Sequence, residues 1–222
     1  MKYDVILLAA GLGQRMQAGL NKVLLELDGC PVFTHSLNCF LADEDCQQVI
    51  LVGRSEEKGT YAPYLSDRVR FVVGGQERQD SVRQGLKVVT ADHVMIHDGA
   101  RPFITLENLQ DLKNQPNSIL AVPAKDTIKQ VVDGQIEKTI PRDLLYQAQT
   151  PQFFERDLLK MVHQQALEQG YRGTDDASLV ELFSSQAVGI VPGSYSNIKL
   201  TTPEDLLFAE SILKNMKIQG KK

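Results

Sequence analysis

The sequence predicts a doubly wound α/β fold on a mostly parallel sheet. Strand-like runs that are nearly all apolar recur along the chain, and amphipathic helix-like stretches alternate with them. Between residues 126 and 153 the alternation breaks around Asp133-Gly134, which adds a β-hairpin arm to the prediction.

The strand-like runs are YDVILLAA (3–10), QQVILVG (47–53), VRFVVGG (69–75), HVMIHDG (93–99), SILAVPA (118–124), QAVGIVPG (186–193) and SNIKLT (196–201). Unbroken apolar character marks a strand buried on both faces, as in a sheet covered by helices. The helix-like stretches follow a different period. In DSVRQGLKVV (80–89), Val82, Leu86 and Val89 share one face and Asp80 is the cap candidate. In ERDLLKMVHQQALEQG (155–170), Leu158, Leu159, Val162, Ala166 and Leu167 form the stripe, and Gly170 ends it. TPEDLLFAESILKN (202–215) opens with Thr, Pro, Glu and Asp, which suit the positive end of a helix dipole. The basic tail KNMKIQGKK is expected to fray.

The arm comprises TIKQVV and QIEKTI, which alternate polar and apolar residues about Asp133-Gly134. A two-stranded ribbon is only marginally stable alone. It therefore lies either against a second copy of the chain or against its own domain. With no repeat and no low-complexity linker, residues 1–222 read as one domain with an arm at about 126–150.

Composition narrows the function. The 222 residues are 42% hydrophobic and 23% charged, with a formal net charge of −4, which fits a folded globular chain. Without a basic excess, nucleic acid is not an expected partner. An anionic ligand needs a local cluster of cations. Cys30, Cys39 and Cys46 match no zinc spacing and read as reduced core or helix residues. The apolar run at 3–10 is short for a signal peptide, and a spanning helix needs about 20 apolar residues. A cytoplasmic protein without a membrane partner is expected.

The stretch LLAAGLGQRMQAGLNK (7–22) raises the chemical question. A glycine turn at the carboxyl end of the first strand lies where doubly wound sheets bind ligands, and Arg15 and Lys22 follow it. Glycines allow close backbone approach, and exposed N–H groups cradle phosphate. Neither the Walker A nor the dinucleotide spacing is present. A turn followed by solvated charges is the alternative. Asp98, at the end of HVMIHD, reads either as a ligand at the sheet edge or as a turn residue beside Arg101.

The combination AAGLGQRM with Lys22, GGQERQDSVRQGL (74–86), HDGARPF (97–103), DTIK (126–129), QTPQFF (149–154), TDDAS (174–178) and NIKLTTPEDL (197–206) resembles the 2-C-methyl-D-erythritol 4-phosphate cytidylyltransferases, within the sugar-phosphate nucleotidyltransferase superfamily. The resemblance spans essentially the whole chain. It implies a Rossmann-like nucleotidyltransferase fold, and a reaction in which CTP and the sugar phosphate give the cytidine diphosphate derivative and pyrophosphate. It also implies Mg²⁺ as cofactor and a homodimer whose arms complete the partner's sites.

Residue by residue, the resemblance assigns Arg15, Lys22 and Lys199 to phosphate binding and catalysis. It gives Ala9, Ala10, Gly11, Leu12, Gly13, Gly74, Gly75, Gln76 and Ser81 to the nucleotide. Asp98, Arg101, Thr127, Arg142, Thr150 and Thr174 go to the substrates, with Asp98 also on the metal. Asn21-Lys22 stands where the family usually has Pro-Lys, and a proline would stiffen the loop before the lysine. Gly99 stands where a small side chain is usual. The acceptor alternative is ribitol 5-phosphate, in a sister family with the same glycine loop; TPQFF, TDDAS and NIKLTTPEDL favour methylerythritol phosphate. A non-catalytic nucleotide-binding regulator is the alternative from another class, and the retained Arg15, Lys22, Asp98 and Lys199 argue against it. His35, His93, His97 and His163 have no partner identifiable in the sequence.

Overall fold

The computed structural model describes residues 1–11 and 21–219. In chain order the elements are β1 (Tyr3–Leu8), β2 (Glu26–Leu27), β3 (Cys30–Pro31), α1 (Val32–Ala42), β4 (Cys46–Gly53), α2 (Lys58–Tyr61), β5 (Val69–Val73), α3 (Arg78–Leu86), β6 (His93–Asp98), α4 (Leu106–Asn114), β7 (Ser118–Pro123), β8 (Ile128–Val132), β9 (Gln135–Ile140), β10 (Tyr146–Glu155), α5 (Arg156–Glu168), α6 (Asp176–Phe183), β11 (Gly189–Pro192) and α7 (Pro203–Gln219).

Among the described residues, seven strands form one sheet in the order β11-β7-β10-β6-β1-β4-β5. Its neighbours run parallel except at β10, which lies antiparallel to both β6 and β7. The sheet is therefore mostly parallel, as the apolar runs predict. Alternate residues of β1 feed opposite faces, which is the period-two rule at work. Val5 and Leu7 join Phe33, Leu37 and Leu109 on one face. Ile6 and Leu8 join Val82, Leu86 and Leu159 on the other.

Several expectations need correction. SNIKLT (196–201) is not a strand. Leu200 makes one backbone bond, its N–H to the Ala100 carbonyl, and its side chain packs with Val32, Phe103 and Ala209. The alternation of Ile198 and Leu200 reflects that small apolar cluster, not a ladder. The helix expected at 80 begins at Arg78, with Glu77 as its cap. Asp80 sits at the third position and closes a capping box by accepting the Glu77 N–H. The basic tail is helical as far as Gln219.

β10 went unread because YQAQTPQFFE mixes buried amides with its aromatics. Gln149 and Gln152 are buried, and each is hydrogen-bonded: Gln149 donates to the Ser194 carbonyl, and Gln152 donates to Asp175. The helices α1, α4 and α6 were also unread. Cys46 is buried in β4 and Cys39 is half-buried in α1, but Cys30 is exposed in β3, contrary to a core or helix place.

β8 and β9 pair only with each other, joined by Asp133 and Gly134 at φ 48° and 77°. Both positive φ values are what a two-residue hairpin of matching twist requires. The arm is shorter than 126–150, because Tyr146–Ala148 already pair with β7. Ile128, Val131, Val132 and Ile136 are exposed along it. No helix among the described residues is long and apolar enough to cross a membrane.

Candidate active site

The chain winds outward from β1 through β4 to β5, then returns to lay β6 on the other side of β1. That reversal makes the carboxyl ends of β1 and β6 a topological switch point, where adjoining loops part and leave a crevice. The register sets Leu8 of β1 directly beside Asp98 of β6. A cleft of about 430 Å³ opens there.

Its floor is Leu8, Ala10 and Gly11, the start of the glycine turn. Ala9 is buried just beneath, its N–H bonded to the Val52 carbonyl. Gly99 explains itself here. Its N–H bonds to the Leu8 carbonyl, and a Cβ at that position would lie 2.8 Å from the same oxygen. Glycine thus lets the end of β6 close onto β1. Leu12, Gly13 and Arg15 lie outside the described residues.

The second wall is the turn from β5 into α3, bearing Gly75, Gln76, Arg78 and Ser81. A Cβ on Gly75 would come 2.3 Å from Cβ of Asp80, so only glycine fits this fold of the backbone. A Cβ on Gly74 would crowd Ser81 Oγ and Ala10. Ser81 is buried, lines the cleft, and accepts the Gly75 N–H at 3.1 Å.

The third wall carries the charge. Asp98 Oδ2 accepts from Lys199 Nζ at 2.7 Å, and Oδ1 accepts from Arg78 Nε at 3.2 Å. Arg78 also donates to Oδ2 of buried Asp176 at 2.8 Å, and Asp176 Oδ1 lies 3.0 Å from His163 Nε2. Burial pushes the Asp98 carboxyl up, but the charges of Arg78 and Lys199 outweigh burial and hold it well below the usual carboxylate range. Burial likewise opposes the charge on Arg78, and Asp176 and Asp98 more than restore it. Lys22 lines the far side, on a single 3₁₀ turn (Lys22–Leu24). Among the described lining residues, the cations Lys22, Arg78 and Lys199 face the carboxylates Asp98 and Glu77. The surplus of positive charge suits an anion.

Beneath Asp98 the hydrogen bonds define one tautomer. His97 Nε2 meets the Arg101 carbonyl at 3.0 Å, and a carbonyl can only accept, so Nε2 carries the hydrogen. Nδ1 is then an acceptor and takes the Thr150 hydroxyl hydrogen at 3.0 Å. Thr150 Oγ1 in turn accepts the Asp98 N–H at 3.0 Å.

This geometry brings together Ala10, Gly11, Lys22, Gly75, Gln76, Ser81, Asp98 and Lys199 from the sequence expectation. Others stand elsewhere. Thr150 is buried under Asp98 with its hydroxyl engaged, so it braces the site and does not open onto it. Arg101 does not pair with Asp98; it donates to the Asn197 carbonyl at 2.7 Å. Lys199 arrives on an irregular segment, not on a strand end. Thr174 is exposed ahead of α6. Thr127 and Arg142 are exposed at the base of the arm, where Arg142 donates to the Lys125 carbonyl.

The histidines have partners after all: His35 bonds the Leu27 carbonyl, and His93 stacks on Phe153. Arg78, Asp176 and Asn21 were missed. Arg78 and Asp176 lay inside quoted motifs, but their mutual contact spans 98 residues and leaves no periodic signal.

No cluster of three or more metal-ligating side chains exists among the described residues. Asp98 and Glu77 put two carboxylates on the cleft wall. That fits an ion such as Mg²⁺, which takes one or two carboxylates and completes its shell with phosphate oxygens and water.

The family model for 2-C-methyl-D-erythritol 4-phosphate cytidylyltransferase matches residues 3–215. A protein of that name from Bacillus velezensis is 45% identical, over 96% of this chain and 97% of its own. The crystal structure of 4-diphosphocytidyl-2C-methyl-D-erythritol synthase from Anaerococcus prevotii superposes with a TM-score of 0.85 at 31% identity, over 96% and 98% of the two chains. A 2-C-methyl-D-erythritol 4-phosphate cytidylyltransferase from Francisella tularensis superposes with a TM-score of 0.83 at 29% identity, over 96% and 100%.

Proposed function

This chain belongs to the 2-C-methyl-D-erythritol 4-phosphate cytidylyltransferase family, and from that premise we propose that it transfers the cytidylyl group of CTP to 2-C-methyl-D-erythritol 4-phosphate, in isoprenoid precursor synthesis. An oxygen of the acceptor phosphate attacks the α-phosphorus of CTP. The bond from that phosphorus to the β-phosphate bridging oxygen breaks, and pyrophosphate leaves with the electron pair.

The observation that carries this reading is the ring of cations around Asp98 at the switch point. Both reactants bring their own reactive groups, so the protein needs no nucleophile. It needs alignment and fixed positive charge where negative charge gathers. Lys22 holds the triphosphate beside Ala9, Ala10 and Gly11, and the family resemblance gives Leu12, Gly13 and Arg15, outside the described residues, to the same nucleotide. Gly74, Gly75, Gln76 and Ser81 face the base. Glycines at 74 and 75 let the turn that carries Gln76 pack against Ala10 and Asp80, where a Cβ would clash. Lys199 reaches the phosphates from the opposite motif, and Arg78 and Arg101 hold the floor in place. Asp98 would hold Mg²⁺ together with phosphate oxygens, and the ion when bound neutralises charge on the departing pyrophosphate.

The acceptor's phosphate falls to Arg142 and Thr127 of the arm, and Thr174 lies toward the same substrate. Thr127, Arg142 and Thr174 are not among the residues that line the cleft of their own chain, and this, with the exposed apolar side chains of the arm, supports a homodimer whose arms complete each other's sites. The cytoplasm is the compartment we assign.

The test is steady-state pyrophosphate release with CTP, Mg²⁺ and each candidate acceptor. Methylerythritol phosphate should turn over faster. Faster turnover of ribitol 5-phosphate overturns the acceptor, and no release with either overturns the activity.

A further inference from the structure

Asn21 caps the 3₁₀ turn that bears Lys22 and is only 2% exposed. Its amide nitrogen meets two acceptors, the Ala9 carbonyl at 2.5 Å and Glu57 Oε2 at 2.9 Å. Neither partner can donate through those atoms, so the amide's NH₂ must face them. Its oxygen then points at the Val23 N–H, 3.4 Å away, and caps the 3₁₀ turn that bears Lys22. The Tyr61 hydroxyl joins the same cluster, 3.2 Å from the Ala9 carbonyl. Arg54 pairs with the other oxygen of Glu57 and fixes that carboxylate from outside. Burial raises the Tyr61 hydroxyl above its ordinary range, so it remains a donor throughout the physiological span.

We propose that Asn21 is a positioning residue: with Glu57 and Tyr61 it clasps the start of the Lys22 turn to the backbone at Ala9 and so sets where Lys22 enters the cleft. Ala9 follows β1 and Asn21 directly precedes Lys22, and one side chain joins the two. Proline would order this position through its backbone alone. Here the φ of −66° is held by side-chain bonds to a carbonyl, a carboxylate and a backbone N–H. A buried amide with each end engaged admits few alternative arrangements, because any other leaves a polar group unpaired away from water. Asn21 touches no substrate; it acts through the Lys22 turn. The role in CTP binding rests on the function proposed above, whereas the clasp itself does not.

The experiment combines kinetics, amide exchange and a double-mutant cycle. Asn21→Ala should lower kcat/KM for CTP at least about tenfold, the scale of a lost buried hydrogen bond, while the KM for the acceptor moves less than about threefold. In the substrate-free protein, hydrogen exchange at Val23 and Leu24 should accelerate in the variant. Glu57→Ala should do the same in kind. The double variant should lose little more than either single one, because the two residues act as a unit. If the alanine variants do not fold, Glu57→Gln, which keeps an acceptor oxygen and gives up the charge, should show a smaller loss of the same pattern.

Unchanged kcat/KM for CTP, unchanged exchange at Val23, or additive losses in the cycle overturn the proposal. Wild-type protein that takes up no CTP sinks the proposed function and removes the positioning role with it. Exchange at Val23 would still report whether the clasp exists as a brace.

Discussion

Lys199 closes an ion pair with Asp98 across 101 residues of sequence, its ammonium 2.7 Å from Oδ2. The lysine is more than a third exposed and the carboxylate is almost covered. The pair therefore stores little folding energy, since an exposed ammonium in contact with solvent contributes at most about 1 kcal/mol. Its value lies in where it holds a positive charge. Lys199→Ala should cut kcat by roughly 10²–10³ and leave the melting temperature nearly unchanged. Parallel losses of activity and melting temperature would show the residue to be structural.

Arg78 is the opposite case. It divides its guanidinium between Asp98 and Asp176, and the latter side chain is 1% exposed. Removing it leaves a buried carboxylate with only His163 nearby. Arg78→Ala should destabilise the fold by about 3 kcal/mol or more, read as a lower urea midpoint at unchanged m-value. Arg78→Lys should recover only part of this, because one ammonium cannot fork between two carboxylates.

His97 makes the protein acid-sensitive in a defined window. Burial pushes its pKa from 6.5 down to about 4. Above pH 6.5 the ring is neutral both folded and unfolded, and it contributes nothing. As pH falls through 6.5 the unfolded chain takes up a proton that the folded one refuses, so stability declines. The loss is complete near pH 4 and amounts to about 3 kcal/mol. Asp98 and Asp176, whose pKa values are lowered on folding, forfeit their contribution only below the ordinary carboxylate range. Unfolding free energy measured from pH 7 to 4 should fall with this slope, and His97→Gln should flatten it. An equal slope in the variant would assign the acid loss to other groups.

The arm yields a prediction about assembly. Lys22→Ala and Arg142→Ala subunits should each be nearly inactive alone. Mixed and allowed to exchange, they should regain about a quarter of wild-type activity, since half of the dimers are mixed and each of these holds one intact site. Heterodimers that form and remain inactive would refute sites shared between subunits.

The legible parts of the site were those with a local signature. Gly11 and Gly75 follow strand ends within a few residues, Lys22 stands in the same motif as the first glycines, and Asp98 terminates an apolar run. Thr150 and Arg101 were legible as motif members but misread in role. Whether a hydroxyl faces a cleft or a buried histidine depends on β10 inserting between β6 and β7, which no periodicity announced. Asn21 read as a departure from a stiff proline. In the fold it is a buried cross-link, because Glu57 and Tyr61 come to it from the segment after β4.

By itself the sequence determined six of the sheet's seven strands, its mostly parallel character and the place where a ligand would dock, because burial on both faces demands unbroken apolar strands and glycine turns must sit at their ends. Which side chains meet in that crevice was decided only by the tertiary structure. Asp98 finds Arg78 and Lys199, and Asn21 finds Glu57, across tens of residues. Charge pairing and hydrogen bonding act through space, and the order of residues along a chain carries no record of that distance.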